Sequence, residues 1–180
     1  MKEFKPLLLF LARFLGTYII LSIAYKLYLD QYLPHNIPDP FTKFTSDITA
    51  FFLNKFGFFS FSNIAENQPW MRLIVDGQVA SIVNEGCNAI SILIIFVSFI
   101  VAFYTNLKQT ILFILAGLVI LFVMNISRIM LLNYIFRYHN EYGKMAHDYL
   151  FPAIIYGSIV VLWIVWIKFF VTKYNKQHAK

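Results

Sequence analysis

Charge is what this chain has least of. Asp, Glu, Lys and Arg make up 13% of its 180 residues, against roughly a quarter in soluble globular domains. Together with a hydrophobic fraction of 59%, that deficit excludes a water-soluble fold and points to a membrane protein. Cysteine occurs once, at Cys87, which excludes an internal disulfide and a structural zinc site. His139 and His147 are eight apart with no Cys or acidic partner at ligand spacing, so no metal is expected. No Gly-rich phosphate loop and no Gly-x-Ser-x-Gly elbow occurs, and no cofactor is implied. The formal charge is +6, but the basic residues gather at the ends of apolar segments instead of forming a patch. They read as topology signals, not as a nucleic-acid surface.

What is there is apolar runs. Taken together they describe an all-α integral membrane helix bundle in one domain, 1–180, with about four transmembrane helices at about 8–33, 88–104, 110–136 and 149–171. The basic start before the first run resembles a signal peptide, but the run is too long and no small-x-small cleavage site follows, so it is expected to stay as a span. The outer loop, 34–87, carries most of the prolines and acidic residues. Within it, Phe44, Ile48, Phe51, Phe52 and Phe56 share one helical face, as in an amphipathic helix lying at the interface; a short tilted span is the alternative. Two β-prone runs flank Asp76-Gly77, the usual signal for a small β-hairpin. Four spans place both termini on one side with Lys108. The positive-inside rule makes that side cytoplasmic and turns the long loop outward.

That topology brings three residues to one depth. Cys87 stands where a polar loop meets the second apolar run, and the partial positive charge of a helix N-terminus favours a thiolate. Arg128 approaches the outer end of the third span, and His147 precedes the outer start of the fourth. These types suit acyl transfer: Cys87 as nucleophile, His147 as proton acceptor and donor, Arg128 at the oxyanion. Each also has a plain structural reading. Cys87 can be a small buried hydrophobe, Arg128 a snorkelling interface residue, and His147 a helix cap or partner of Asp148.

The motifs Glu85-Gly86-Cys87-Asn88-Ala89-Ile90, Asn125-Ile126-Ser127-Arg128 and His147-Asp148 before Phe151-Pro152-Ala153 resemble those of the exosortase/archaeosortase family of integral-membrane cysteine transpeptidases. The compact exosortase F type of Bacteroidetes-like bacteria is the nearest in look. Many members have Cys-Ser-Gly or Cys-Ala-Gly where this chain has Cys-Asn-Ala. The resemblance implies Cys87, Arg128 and His147 as catalytic residues, with Asn88, Asn125 and Asp148 in support. It also implies a multi-pass protein of the bacterial cell (inner) membrane whose site faces the extracytoplasmic side. Its partners would be the lipid bilayer and secreted proteins bearing a C-terminal transmembrane sorting signal, cleaved near the outer face and passed to an acceptor amine. The alternative from another class is a non-catalytic membrane assembly or accessory protein. A transporter would want broken helices near the midplane, and the second and fourth runs are nearly unbroken.

Overall fold

A computed structural model describes residues 4–178. Helix α1 (Lys5–Leu29) opens with Pro6 in its first turn, where proline's missing N–H costs nothing. It is apolar all round, with Leu8, Ile20 and Leu27 more than half exposed, the surface of a helix that faces lipid. A short 3-10 turn (Leu33–His35) ends it, and Asp39 starts α2 (Pro40–Lys55) by accepting the amides of Phe41 and Thr42, each at 3.0 Å.

Helix α2 buries its small polar face, Thr42, Thr45, Ser46 and Thr49, and leaves Phe44, Phe51, Phe52 and Phe56 exposed. It climbs beside α4 (Leu107–Tyr138), from Phe122, which stacks on Phe44 at 5.8 Å, to Ile129, which shares a cluster with Leu53. Three antiparallel strands follow: β1 (Ser60–Ile64), β2 (Met71–Val75) and β3 (Gln78–Val83), in that order across the sheet. The β2–β3 hairpin turns at Asp76 and Gly77, both at positive φ, as the sequence predicts. The sheet adds β1, which the sequence did not signal, and a bulge opposite Leu73/Ile74. Its inner face (Met71, Leu73, Val75, Val83) packs on Leu53 of α2 and Ile129 of α4.

Helix α3 (Ile90–Ala102) is shorter than the 88–104 span expected. At 1.5 Å per residue its 13 residues cover about 20 Å, less than the roughly 30 Å of a bilayer core. It still runs most of the depth of α1: Asn88 bonds to Tyr25 at one end, and Phe103 packs on Phe10 at 4.7 Å at the other. A fully buried Trp166 donates to the Phe103 carbonyl there. Among the described residues, three helical stretches are long and apolar enough to cross a membrane: Leu7–His35, Leu107–Tyr138 and Asn140–Tyr174.

The last of these takes in most of the segment 137–148, which lies between the expected spans 110–136 and 149–171 and reads as a polar connection. Helix α5 (Asn140–Met145) begins directly after His139 and passes through a π-helical turn, Ala146–Leu150, into α6 (Phe151–Val165). The expected span 149–171 is therefore the middle of a longer helix. Polar residues do not stop a helix that has packing to gain: Gly143 lies so close to Phe136 of α4 that a Cβ there would sit 2.4 Å from the ring. Helices α4 and α5 thus form a hairpin at the end of the bundle away from the α1 N-terminus. Asn125 to Tyr138 spans about 20 Å along α4, and the sheet leans against this upper section.

Candidate active site

The segment between β3 and α3 is held from both sides. Asn84 accepts the Gly86 amide on its side chain at 3.1 Å and the Cys87 amide on its carbonyl at 2.9 Å, closing a turn that ends on Cys87. Asn88 follows, fully buried. Its amide group donates to Tyr25 Oη of α1 and to Thr42 Oγ1 of α2, both at 3.0 Å, and its oxygen accepts the Ile90 amide at 2.9 Å. Thr42 in turn donates to Asp39 Oδ2 at 2.5 Å, so the cap of α2 and the start of α3 belong to one buried network. Ala89 sits in the left-handed region at φ 68°. Cys87 is therefore three residues ahead of the helix, on a loop that Asn88 anchors, and not in the first turn of α3, where a helix terminus exerts its field.

On the other side stands α4. The buried Asn125 donates its Nδ2 to the Cys87 carbonyl at 2.9 Å and accepts Arg128 Nη1 on its Oδ1 at 3.2 Å. The three residues form a line: guanidinium, amide, peptide carbonyl. Arg128 is half-buried and its Nε has no hydrogen-bond partner among the described residues. It borders a cavity of about 190 Å³ with Ser127, Leu131 and Phe151.

Cys87 and His147 share a different, larger cavity of about 580 Å³. Its walls are β3 (Val79 to Ile82), the upper part of α4 (Leu132, Phe136) and the α5 side, with Lys144, His147 and Asp148. His147 lies in the π-helical turn, an irregularity frequent at functional sites. Its Nδ1 is 2.8 Å from Asp148 Oδ1, with the two side chains 53% and 40% exposed. Cys87 itself is half-buried and touches the apolar cluster of Met71, Val83 and Ile129.

Over residues 7–170 the chain matches the model of the transmembrane exosortases. It belongs to that family. No curated protein and no solved structure matches the chain. For this exosortase, then, the geometry is its own: Cys87 and His147–Asp148 line one cavity, Arg128 reaches Cys87 through Asn125, and Asn88 ties the loop to α1 and α2. Sequence reasoning did not find Ser81, whose Oγ donates to the buried Asn133 Oδ1 at 2.9 Å, nor the β3 wall on which it stands. Asn133 was readable as a polar residue inside an apolar helix, the usual sign of a partner across the fold. Its partner, 52 residues away, was not.

Proposed function

We propose that this exosortase is a membrane cysteine transpeptidase that cleaves C-terminal sorting signals of secreted proteins and passes them to an acceptor amine. The observation that carries the reading is that its only cysteine shares one cavity with a histidine already engaged by a carboxylate. With Nδ1 toward Asp148, Nε2 is the nitrogen left to take the Cys87 proton. The thiolate attacks the peptide carbonyl, the C–N bond breaks as His147 returns the proton to the leaving amine, and a thioester remains on Cys87. An acceptor amine then attacks the thioester and frees the thiol. Arg128 acts in this scheme as a positioning residue: through Asn125 it fixes the carbonyl of the nucleophile's own peptide unit.

The helix ends on the side of the α1 N-terminus carry Lys5, Lys108, Lys168, Lys173 and Lys176. By the positive-inside rule that side is cytoplasmic, which turns the cavity outward in a bacterial inner membrane. One observation favours the accessory-protein reading: Cys87 packs against an apolar cluster, as a purely structural cysteine does. The two readings separate on Cys87→Ala. In membranes containing a secreted protein with a C-terminal helix and basic tail, loss of a catalytic thiol lowers processing on the order of 10³-fold or more, with the variant at normal abundance. Undiminished processing assigns Cys87 to packing.

A further inference from the structure

We propose that the open edge of β3 receives the substrate backbone as a fourth strand of the sheet, and that this added strand carries the scissile carbonyl to Cys87. The inference rests on the cysteine transpeptidase reading and adds how an extended peptide is recognised.

The phase of the ladder shows which groups are free. The Asp76 amide donates to Phe59 O at 2.7 Å, and the Ala65 amide donates to Trp70 O at 3.1 Å. With the β1–β2 register, these bonds place Arg72 and Ile74 as the β2 residues that bond toward β1. Met71 and Leu73 therefore bond toward β3, and their partners Val83 and Ser81 spend their N–H and C=O inward. The intervening Ile82 turns its own outward, and so, beyond the bulge at Ala80, does Val79, which stands opposite the β1-bonded Ile74. Among the described residues, no backbone hydrogen bond from outside the sheet reaches β3. The strand reads Gln-Val-Ala-Ser-Ile-Val, with none of the Lys or Pro residues that usually protect an edge. Its outer side opens into the cavity that holds Cys87 and His147.

The direction follows as well. Tyr138, at the tip of α4, donates to Asp76 of the hairpin turn at 2.5 Å; Ser81 meets Asn133 halfway down, and Cys87 meets Asn125 below. β3 thus descends α4 toward the membrane. A chain that arrives from water and continues into a membrane helix runs parallel to it. Edge addition supplies affinity through main-chain bonds, with little demand on side chains.

The probe is acetyl-Val-Ala-Val-Ala with a C-terminal vinyl sulfone, whose β-carbon forms a thioether with Cys87 while a proton adds to the neighbouring carbon. The full chain in detergent micelles is treated with this peptide and, separately, with iodoacetamide, and modification of Cys87 is followed by mass spectrometry. Four further peptides carry one N-methyl group each, moved along the four amides. The expected result is alternation: methylation at every second amide slows labelling by about tenfold, the equivalent of one hydrogen bond, while the intervening positions change little. Uniform slowing, or none, overturns edge addition. Peptide labelling no faster than that by iodoacetamide also overturns it, while leaving the nucleophile in place. Failure of both reagents to modify Cys87 removes the transpeptidase reading and the edge proposal together. An iodoacetamide rate that falls in His147→Ala supports the underlying reading independently of the peptide.

Discussion

Asn125 offers a test in which two effects oppose each other. Its Nδ2 holds the Cys87 carbonyl at 2.9 Å while its Oδ1 takes Arg128 Nη1 at 3.2 Å. In Asn125→Asp the Arg128 contact becomes a charge-assisted bond, worth about 1.5–3 kcal/mol in place of a weaker one. The Cys87 carbonyl, by contrast, loses its donor and faces a carboxylate oxygen at hydrogen-bonding distance. An orphaned buried acceptor costs about 1–3 kcal/mol, and the repulsion between the two oxygens adds to it. The loop can escape only by moving, and a displacement of about 1 Å at a nucleophile costs on the order of 10²-fold in rate. Asn125→Asp should therefore keep the folded bundle close to native stability and still process substrate on the order of 10²-fold more slowly. Asn125→Ala, which loses both contacts, should lose stability as well, by about 2–4 kcal/mol. Thermal unfolding in detergent reports the first quantity and processing of a secreted protein with a C-terminal helix reports the second. If Asn125→Asp processes at the native rate, the line from Arg128 through Asn125 to Cys87 does not position the nucleophile.

Four other perturbations have definite outcomes. Ala89 carries a left-handed backbone at φ 68°, which costs a non-glycine residue roughly 1–2 kcal/mol; Ala89→Gly should raise stability by about 0.5–1 kcal/mol after its entropic penalty, read as a higher midpoint in thermal unfolding. A Cβ at Gly117 would lie 2.1 Å from Cζ of the fully buried Phe96, so Gly117→Ala should lose about 1–3 kcal/mol in the same assay and Phe96→Leu should restore part of it. Because His147 and Asp148 are exposed, His147→Ala and Asp148→Asn should each leave the unfolding midpoint within about 0.5 kcal/mol of native while lowering processing, His147→Ala the more. Arg128→Lys keeps the charge and loses the planar fork; slower processing at native abundance is expected, and an unchanged rate would show that charge alone suffices.

The parts of this fold that were legible in the sequence are those specified locally. The Asp76-Gly77 turn declares itself because both residues must take positive φ, and they do. The long apolar stretches declare themselves by composition, and three of them are helices long enough to cross a membrane. What escaped depends on partners distant in the chain. Strand β1 reads Ser-Phe-Ser-Asn-Ile, a sequence with little β preference; it is a strand because β2 lies beside it and because Asn54 of α2 bonds both the amide and the carbonyl of Ser60. The segment 137–148 reads as a polar connection, yet it is helical because Gly143 lets α5 close on Phe136. For the candidate site, the sequence offers Cys87, Arg128 and His147 at one depth. That Cys87 and His147 would line a cavity which Arg128 does not, with an asparagine between Arg128 and the cysteine, was not legible there.

On the proposed reading, the same geometry gives the helices a reason to outrun the membrane. Leu107 to Asn125 covers about 27 Å along α4, close to a hydrocarbon core of about 30 Å, so the Cys87 level falls near the far boundary. Attack on a peptide bond inside hydrocarbon would leave the peptide's own N–H and C=O groups without partners, at several kcal/mol each. A site a few ångströms higher avoids that cost only if something other than lipid surrounds the substrate backbone. On the proposed reading, the upper part of α4, the α5 turn and the sheet would form that surrounding, and a strand with an open edge would offer hydrogen bonds in place of water. Shortening α4 and α5 together by one turn above Asn133 and Gly143 should therefore lower processing without unfolding the membrane-embedded helices. Retained processing in such a variant would show that the upper wall is dispensable and that the loop alone presents Cys87 to its substrate.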